Sequence, residues 1–185
     1  MREAVSALGG ASYEGFVKIR EIGPLGMISL RAKPGAKGLD KAVKAAVGTA
    51  VPALRRMEWA KDRGCGWMSP DEYLLVLPYP EVGRAMAAIA KALGAEHHLA
   101  ADVSDARAVF RIEGAKADQV LAKLCPVDLA ALAPGELRRT RAAQVAAAFW
   151  RDEQGYTLVS FRSVGVYVMG LLNHSAMPGS ELDQG

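Results

Sequence analysis

Cysteine is nearly absent. Cys65 and Cys125 are the only two in 185 residues, far apart and with no CxxC partner. This excludes a disulfide scaffold and a thiolate zinc site, and it reads as reduced thiols in a cytoplasmic protein. Histidine is also scarce. His97 and His98 are adjacent, so a strand would point them to opposite faces, and no Cys, Asp or Glu stands beside them at ligand spacing. The charge surplus is only +3, too small to argue for nucleic acid. Arg55-Arg56 and Arg138-Arg139-x-Arg141 lack interleaved aromatics and read as solvated edges or ion pairs to a partner. No apolar run approaches the ~20 residues of a membrane span. Residues 1–10 hold only a short apolar patch, Ala4 to Leu8, and do not read as a signal peptide.

Chemical motifs are missing too. There is no Walker loop, no GxGxxG after a strand, no GxSxG and no HExxH. Asp71-Glu72 is an adjacent carboxylate pair, whereas acid–base work needs two carboxylates converging on one substrate. Gly64-Cys65-Gly66 reads as a loop that exposes Cys65, but no His nearby would activate the thiol. The expectation is therefore no catalytic, cofactor-binding or metal-binding residue in this chain. Trp67, Tyr73, Tyr13 and Met177 are left as candidate subunit-interface residues, since large apolar side chains anchor interfaces.

What is present is a globular pattern, 51% hydrophobic and 23% charged. The most patterned stretch runs from Trp67 to Pro78. A polar turn, Ser69-Pro70-Asp71-Glu72, feeds an unbroken apolar run, Tyr73 to Leu77, which reads as a central strand. Pro78 and Pro80 stop it. Val82, Met86, Ile89 and Leu93 then follow at helical spacing, up to Gly94.

Around this stretch, Phe16–Arg20 and Met27–Arg31 read as strands. Leu39, Val43, Ala46 and Val47 predict a helix with Lys37, Lys41 and Lys44 on its wet side, ended near Gly48. Leu54–Trp59 reads as a strand, with a hairpin at 61–64 in which Gly64 takes a positive φ. His97-His98 open the next strand region, and 106–113 alternates as a strand with one polar-leaning face. Lys116–Leu124 reads as a helix and Pro126–Glu136 as a loop. Thr140–Trp150 reads as one long strand, with helix for Arg141–Ala147 as the alternative, since alanine favours it. Asp152–Gly155 is its hairpin and Tyr156–Arg162 the return strand. Ser163 would cap a last helix through Leu172, with Val164, Tyr167, Val168 and Leu171 inward.

Two halves match in order. Strand, helix, hairpin at 61–64 and helix correspond to strand, helix, hairpin at 152–155 and helix. Trp59 and Trp150 each precede their loop glycine by five residues. The reading is α+β: duplicated βαββα-like halves, antiparallel sheets and helices on one side. Residues 15–175 form one duplicated domain, with halves at about 15–104 and 105–175. Residues 1–14 form an N-terminal arm and 176–185 a tail. Both carry apolar anchors and are expected to gain order on a partner.

Three stretches carry a resemblance: Trp67-x-Ser69-Pro70-Asp71-Glu72-Tyr73-Leu74-Leu75, Leu124-Cys125-Pro126-Val127-Asp128-Leu129, and Phe149-Trp150-Arg151-Asp152-Glu153-Gln154-Gly155-Tyr156 leading to Phe161-Arg162-Ser163. In this order they resemble the gamma subunits of heterotetrameric sarcosine oxidases. The resemblance implies the folate-binding-domain fold of the glycine-cleavage aminomethyltransferases. It also implies alpha, beta and delta partner subunits that hold FAD, FMN, NAD, tetrahydrofolate and zinc. Such complexes oxidise sarcosine, with oxygen and tetrahydrofolate, to glycine, hydrogen peroxide and 5,10-methylenetetrahydrofolate. The alternatives are a free-standing folate-binding one-carbon transferase and a gamma-like subunit of a related N-methyl amino acid dehydrogenase. No partner is expected to be a membrane.

Overall fold

Gly48 closes the first helix in a left-handed conformation, φ 80°, as the apolar spacing from Leu39 to Val47 requires. The computed structural model describes residues 4–182. They form strands β1 (Ser12–Glu14), β2 (Lys18–Glu21), β3 (Gly26–Ala32), β4 (Met57–Ala60), β5 (Arg63–Ser69), β6 (Glu72–Leu77), β7 (His98–Asp102), β8 (Arg107–Glu113), β9 (Leu137–Ala142), β10 (Val145–Asp152) and β11 (Gly155–Phe161). The helices are α1 (Leu39–Val47), α2 (Val82–Leu93), α3 (Ala117–Ala122) and α4 (Gly165–Ser175). Short 3-10 turns lead into α2 and α4.

The chain divides into two units. Residues 25–105 form one, called the inner unit here; residues 1–24 and 106–185 form the other, the outer unit. The inner sheet has the order β4-β5-β6-β3-β7 and the outer sheet β1-β2-β8-β11-β10-β9, every pair antiparallel. The repeat is βαβββα: β3-α1-β4-β5-β6-α2 corresponds to β8-α3-β9-β10-β11-α4. Each sheet gains a strand beside the first strand of its repeat. In the inner sheet it is β7, which runs straight into β8. In the outer sheet it is β2, which runs straight into β3. The strand leading into each half therefore pairs in the sheet of the other half.

One face of the inner sheet carries Ile28, Leu30, Cys65, Tyr73, Leu75 and Leu77. These pack with Val43, Val47, Ile89 and Leu93 of the two helices in one apolar cluster. Fully burying a side chain such as Ile89 or Leu93 stabilises by about 1.5–3 kcal/mol. The outer unit has its own cluster, from Ile19, Phe110, Ile112, Phe149, Tyr156 and Leu158 on the sheet to Val120, Leu121, Val168 and Leu172 on the helices. Phe149 and Tyr156 meet edge to face, with ring centroids 5.8 Å apart.

The α+β class, the antiparallel sheets and the four helices agree with the sequence reading. Each half has one more strand than the periodicity predicted. Gly64-Cys65-Gly66 is not a loop; it lies inside β5, and Cys65 is fully buried. At Gly64 a Cβ would stand 2.7 Å from Trp59 and 2.9 Å from the Glu58 carbonyl, so glycine is required by crowding. The positive φ of that hairpin falls on Lys61, at 61°. Likewise 140–150 is two strands rather than one, turned at Ala143-Gln144 with Ala143 at φ 50°. Both β4–β5 and β9–β10 are thus two-residue hairpins entered through a non-glycine residue with positive φ, an uncommon conformation.

That moves the internal correspondence. Trp59 and Trp150 are not equivalent. Tyr73 matches Tyr156 at an offset of 83, and by register Trp150, opposite Thr157, corresponds to Gly66, opposite Leu74, while Trp67, opposite Tyr73, corresponds to Arg151. Tyr73 pairs with Leu30 and Leu75 with Ile28, just as Tyr156 pairs with Ile112 and Leu158 with Phe110. Ser163 does not cap α4; it lies in the 3-10 turn, and no side chain caps the helix. Tyr167 is not inward either, at 47% exposure; Gly165, Val168, Met169, Leu172 and Ser175 are the buried residues of that helix.

The arms were expected to wait for a partner. Their described residues instead lie on the outer unit. The buried Glu21 carboxylate accepts the Ser6 hydroxyl at 2.9 Å and the N–H groups of Leu8 and Gly10 at 3.0 and 2.9 Å. Arg162 donates to the carbonyls of Val5 and Ser6. At the other end, the Lys123 ammonium donates to the carbonyls of Ser175 and Ser180, and Leu182 N–H donates to Gln119. Residues 1–3 and 183–185 of the expected arms lie outside the described residues.

Candidate functional site

The β10–β11 turn carries the densest polar chemistry of the outer unit. Gly155, at φ 145°, forms it, and a Cβ there would collide with the Ile112 carbonyl. The turn brings Asp152 against β8. There the Arg111 guanidinium, 7% exposed, donates to both Asp152 oxygens at 2.6 Å and to Thr157 at 3.2 Å. Its Nε donates to Glu113 at 3.4 Å, and Arg20 reaches the same carboxylate through two bonds of 3.3 Å. The fork-to-fork geometry makes these charge-assisted bonds strong. The Arg20 hydrogen bond, with Arg111 assisting, holds Glu113 below the usual carboxylate range. Partial burial pushes Asp152 up, but the bonds from Arg111 and the Gln154 N–H outweigh it, and Asp152 also lies below its usual range.

Beside this network, Gly114 to Asp118 and Arg151 to Tyr156 enclose a cleft of about 390 Å³. A second, more open hollow of about 290 Å³ lies against Lys123, Cys125 and Arg141. Neither is lined by a nucleophile with a base beside it. Burial pushes the Cys125 thiol up to about 12 and raises Cys65 as well, and both are free. Among the described residues no group of three or more His, Cys, Asp and Glu side chains could hold a metal. Among the described residues no helix is long and apolar enough to cross a membrane.

The four expected interface residues fall in both units. Trp67 is half-buried against the inner core, opposite Tyr73 across β5 and β6. Tyr73 is 3% exposed and belongs to that core, so the ring has no surface left for a partner, which corrects its assignment. Tyr13 is half-buried against the outer core, and Met177 is 42% exposed.

Sequence reasoning missed a different surface. On α4, Val166 is 75% and Tyr167 47% exposed, and Gly170 lies on the same side one turn on. Met177 continues that stripe past the helix end. No Asp, Glu, Lys or Arg occurs from Val164 to Leu182 except Glu181. The available signal was a helix without a charged residue whose first two turns, Gly165–Leu172, are apolar all round, so that not every side can be covered by one neighbour.

Residues 32–175 match a family model described as the sarcosine oxidase, gamma subunit family. The sarcosine oxidase subunit gamma of an Arthrobacter species is 34% identical over 158 residues, covering 82% of this chain and 76% of that protein. That of Corynebacterium strain P-1 is 35% identical over 125 residues, 66% of this chain; the match spans 60% of the relative's own length. A chain of the heterotetrameric sarcosine oxidase from Corynebacterium U-96, in complex with pyrrole 2-carboxylate, superposes with a TM-score of 0.78 at 29% identity, over 86% of this chain and 83% of that one. The glycine cleavage system aminomethyltransferase T of Bartonella henselae superposes at 0.65 with 12% identity, over 85% of this chain and 46% of that one, which shows the fold alone.

Proposed function

The chain belongs to the sarcosine oxidase gamma subunit family, and on that premise we propose that it is the non-catalytic gamma subunit of a cytoplasmic heterotetrameric sarcosine oxidase. Its partners are the alpha, beta and delta subunits. They hold FAD, FMN, NAD, tetrahydrofolate and zinc, and the assembly converts sarcosine, oxygen and tetrahydrofolate to glycine, hydrogen peroxide and 5,10-methylenetetrahydrofolate. Among this chain's described residues no group of three or more His, Cys, Asp and Glu side chains could hold the zinc.

What this chain contributes is surface. The observation that carries the docking role is the outer side of α4, where Val166, Tyr167 and Gly170, followed by Met177, present an apolar stripe to solvent. The helices of the inner unit expose charge instead, Lys41 and Lys44 on α1 and Arg84 and Lys91 on α2. An apolar centre without charge is what an interface core requires. Trp67 and Tyr13, each half-buried, are secondary candidates.

The test is co-purification. Val166→Glu/Tyr167→Glu is made in one variant and Lys41→Glu in another, each co-expressed with the three partner subunits. The first is expected to leave the free chain folded, with unchanged far-ultraviolet circular dichroism, and to lower its recovery with the complex at least tenfold, because each buried charge costs several kcal/mol at an interface. Lys41→Glu is expected to assemble normally. Normal assembly of the double variant would remove α4 as the docking face. Sarcosine turnover by the purified chain alone would end the non-catalytic reading.

A further inference from the structure

Gly170 stands in the interior of α4 without a reason inside the chain. Glycine in a helix interior costs stability relative to alanine, because it gives up more backbone freedom on folding. A positive φ would justify it, but Gly170 is helical. Crowding would justify it, as at Gly64, but a Cβ at Gly170 would meet no described atom within 4 Å beyond its own stretch of helix. Gly83 is also open, but it lies in the first turn of α2 rather than in a helix interior. The other repeat shows the usual choice. At the offset of 83 that relates Tyr73 to Tyr156, the buried residues Val82, Ala85 and Ile89 of α2 correspond to Gly165, Val168 and Leu172 of α4, which are buried too. Gly170 then corresponds to Ala87, exposed on the outer side of α2.

The surroundings of this notch are a second observation. Val166, Gly170, Asn173 and Met177 follow at intervals of four, three and four, the a/d spacing of a seam between two helices. Val166 and Met177 are exposed on either side of the glycine along that line, and Tyr167 is exposed on its flank. A gap in the side-chain layer between exposed apolar walls is the receiving half of knobs-into-holes packing. No Asp, Glu, Lys or Arg lies in α4, so an apolar knob would strip water from no charge. Half-buried Asn173 supplies one polar seam position, the kind that fixes register. A strand would need free backbone groups to pair with, and the side of a helix has none to offer.

We propose that Gly170 is the receiving notch for a helix of a partner subunit. That helix lies nearly along α4 and seats one large apolar side chain, Leu, Met or Phe, on the bare backbone at Gly170. The inference rests on the docking role of α4 and adds what docks there. Removing the Cβ at the contact lets two helix axes approach more closely than larger side chains allow. The helix stability given up at Gly170 in the free chain is thereby recovered in the complex.

The experiment is a competition. Each variant is co-expressed with an equal amount of the parent chain, together in excess over the three partner subunits. The complex is purified through a tag on a partner, and the two forms are counted by mass spectrometry. Gly170→Ala is expected to raise the melting temperature of the free chain by about 2–4 °C, because alanine favours the helix and has room. It should nevertheless be under-represented in the complex about threefold to tenfold, because its methyl group enters the notch. A glycine with a merely structural role would not give opposite signs. Gly170→Leu should be under-represented about tenfold or more. Ala87→Leu, which adds bulk at the matching place on α2, should compete equally. Equal competition by Gly170→Leu, or an equal loss for Ala87→Leu, would overturn the proposal. So would a lower melting temperature for Gly170→Ala, which would return the glycine to the chain's own packing. A dimer of the free chain that Gly170→Leu dissociates in sedimentation would also overturn it, by making a second copy the occupant. If Val166→Glu/Tyr167→Glu is excluded from the complex while Gly170→Leu competes equally, α4 docks without a seated side chain and only this inference falls. If both compete equally, the docking role of α4 falls with it.

Discussion

The two units repeat one frame and spend it differently. Tyr73 in the inner unit and Tyr156 in the outer occupy equivalent core positions on equivalent strands. At the adjoining turn they part. In the inner unit Ser29 donates a long 3.4 Å bond to Glu72, and Asp71 pairs with Arg31 at 3.5 Å with both side chains about half exposed. In the outer unit Arg111 stands near the place of Ser29, buried, with Asp152 gripped in a two-bond fork. The helices differ in the same sense, charged outer sides on α1 and α2 against an uncharged one on α4. Duplication has kept the apolar inside of both repeats, while buried charge and an exposed apolar helix side are found in one of them. Specialised surface and foldable frame are thus separable within a single chain.

The comparison can be broken first at its buried charge. Arg111→Ala leaves Asp152 without its fork and Glu113 with Arg20 alone, and losing these charge-assisted hydrogen bonds together with a buried side chain should cost about 2–4 kcal/mol. Ser29→Ala should cost under about 1 kcal/mol, the worth of a weak neutral hydrogen bond. Urea denaturation of the two variants measures both, and equal losses would mean that the fork adds nothing over the serine.

Two tryptophans on the corresponding strands β5 and β10 come next. Trp150 is 3% exposed, so Trp150→Ala should cost about 3–5 kcal/mol, the usual range for a large core truncation. Trp67 is only half-buried, and Trp67→Ala should cost about half as much in the free chain. Thermal melts of the free chain decide this; a larger loss at Trp67 would show that exposure does not rank the packing of the two rings.

Acid supplies the smallest effect. Asp152 and Glu113 have folded pKa values below their ordinary ones. Their contribution is therefore complete above the ordinary carboxylate range, near pH 4–4.5, and is lost as pH falls through the lower folded values. Asp152 is 46% and Glu113 24% exposed, so solvent screening keeps the pair to about 1 kcal/mol or less. Stability measured from pH 6 down to pH 3 should fall less steeply in Asp152→Asn than in the parent chain. Identical slopes would detach the fork from the acid response.

Local order was legible in the sequence and distant order was not. The spacing of Leu39, Val43, Ala46 and Val47 found α1, and the run from Tyr73 to Leu77 found β6, because both signals lie within a few residues. The missing strand of each half had a local cause. Glycines at 64 and 66 mimic a loop, although here they relieve crowding inside β5, and the alanines after Arg141 show no periodicity to mark the turn at Ala143. Arg111 read as one polar position of an alternating strand, since its partner Asp152 is 41 residues away. The cleft was hidden for the same reason: it joins a loop after β8 to a turn after β10. The exposed stripe of α4 was hidden by uniformity, because a helix apolar all round in its first two turns does not reveal which side is covered.

The strand exchange sets a timetable for synthesis. Arg20 of β2 meets Glu113 of β8 across 93 positions of chain. At the ~5–20 residues per second of translation, that is about 5–20 s during which β2 is made but its partner is not. The inner unit needs nothing from outside residues 25–105 to close its sheet, and its last strand, β7, emerges before β8 begins. On the ribosome the middle of the molecule is therefore finished before its beginning. The N-terminal strands are held open until the second repeat arrives, and a nascent chain stalled before residue 107 would carry one complete sheet and one exposed strand edge, an invitation to chaperones.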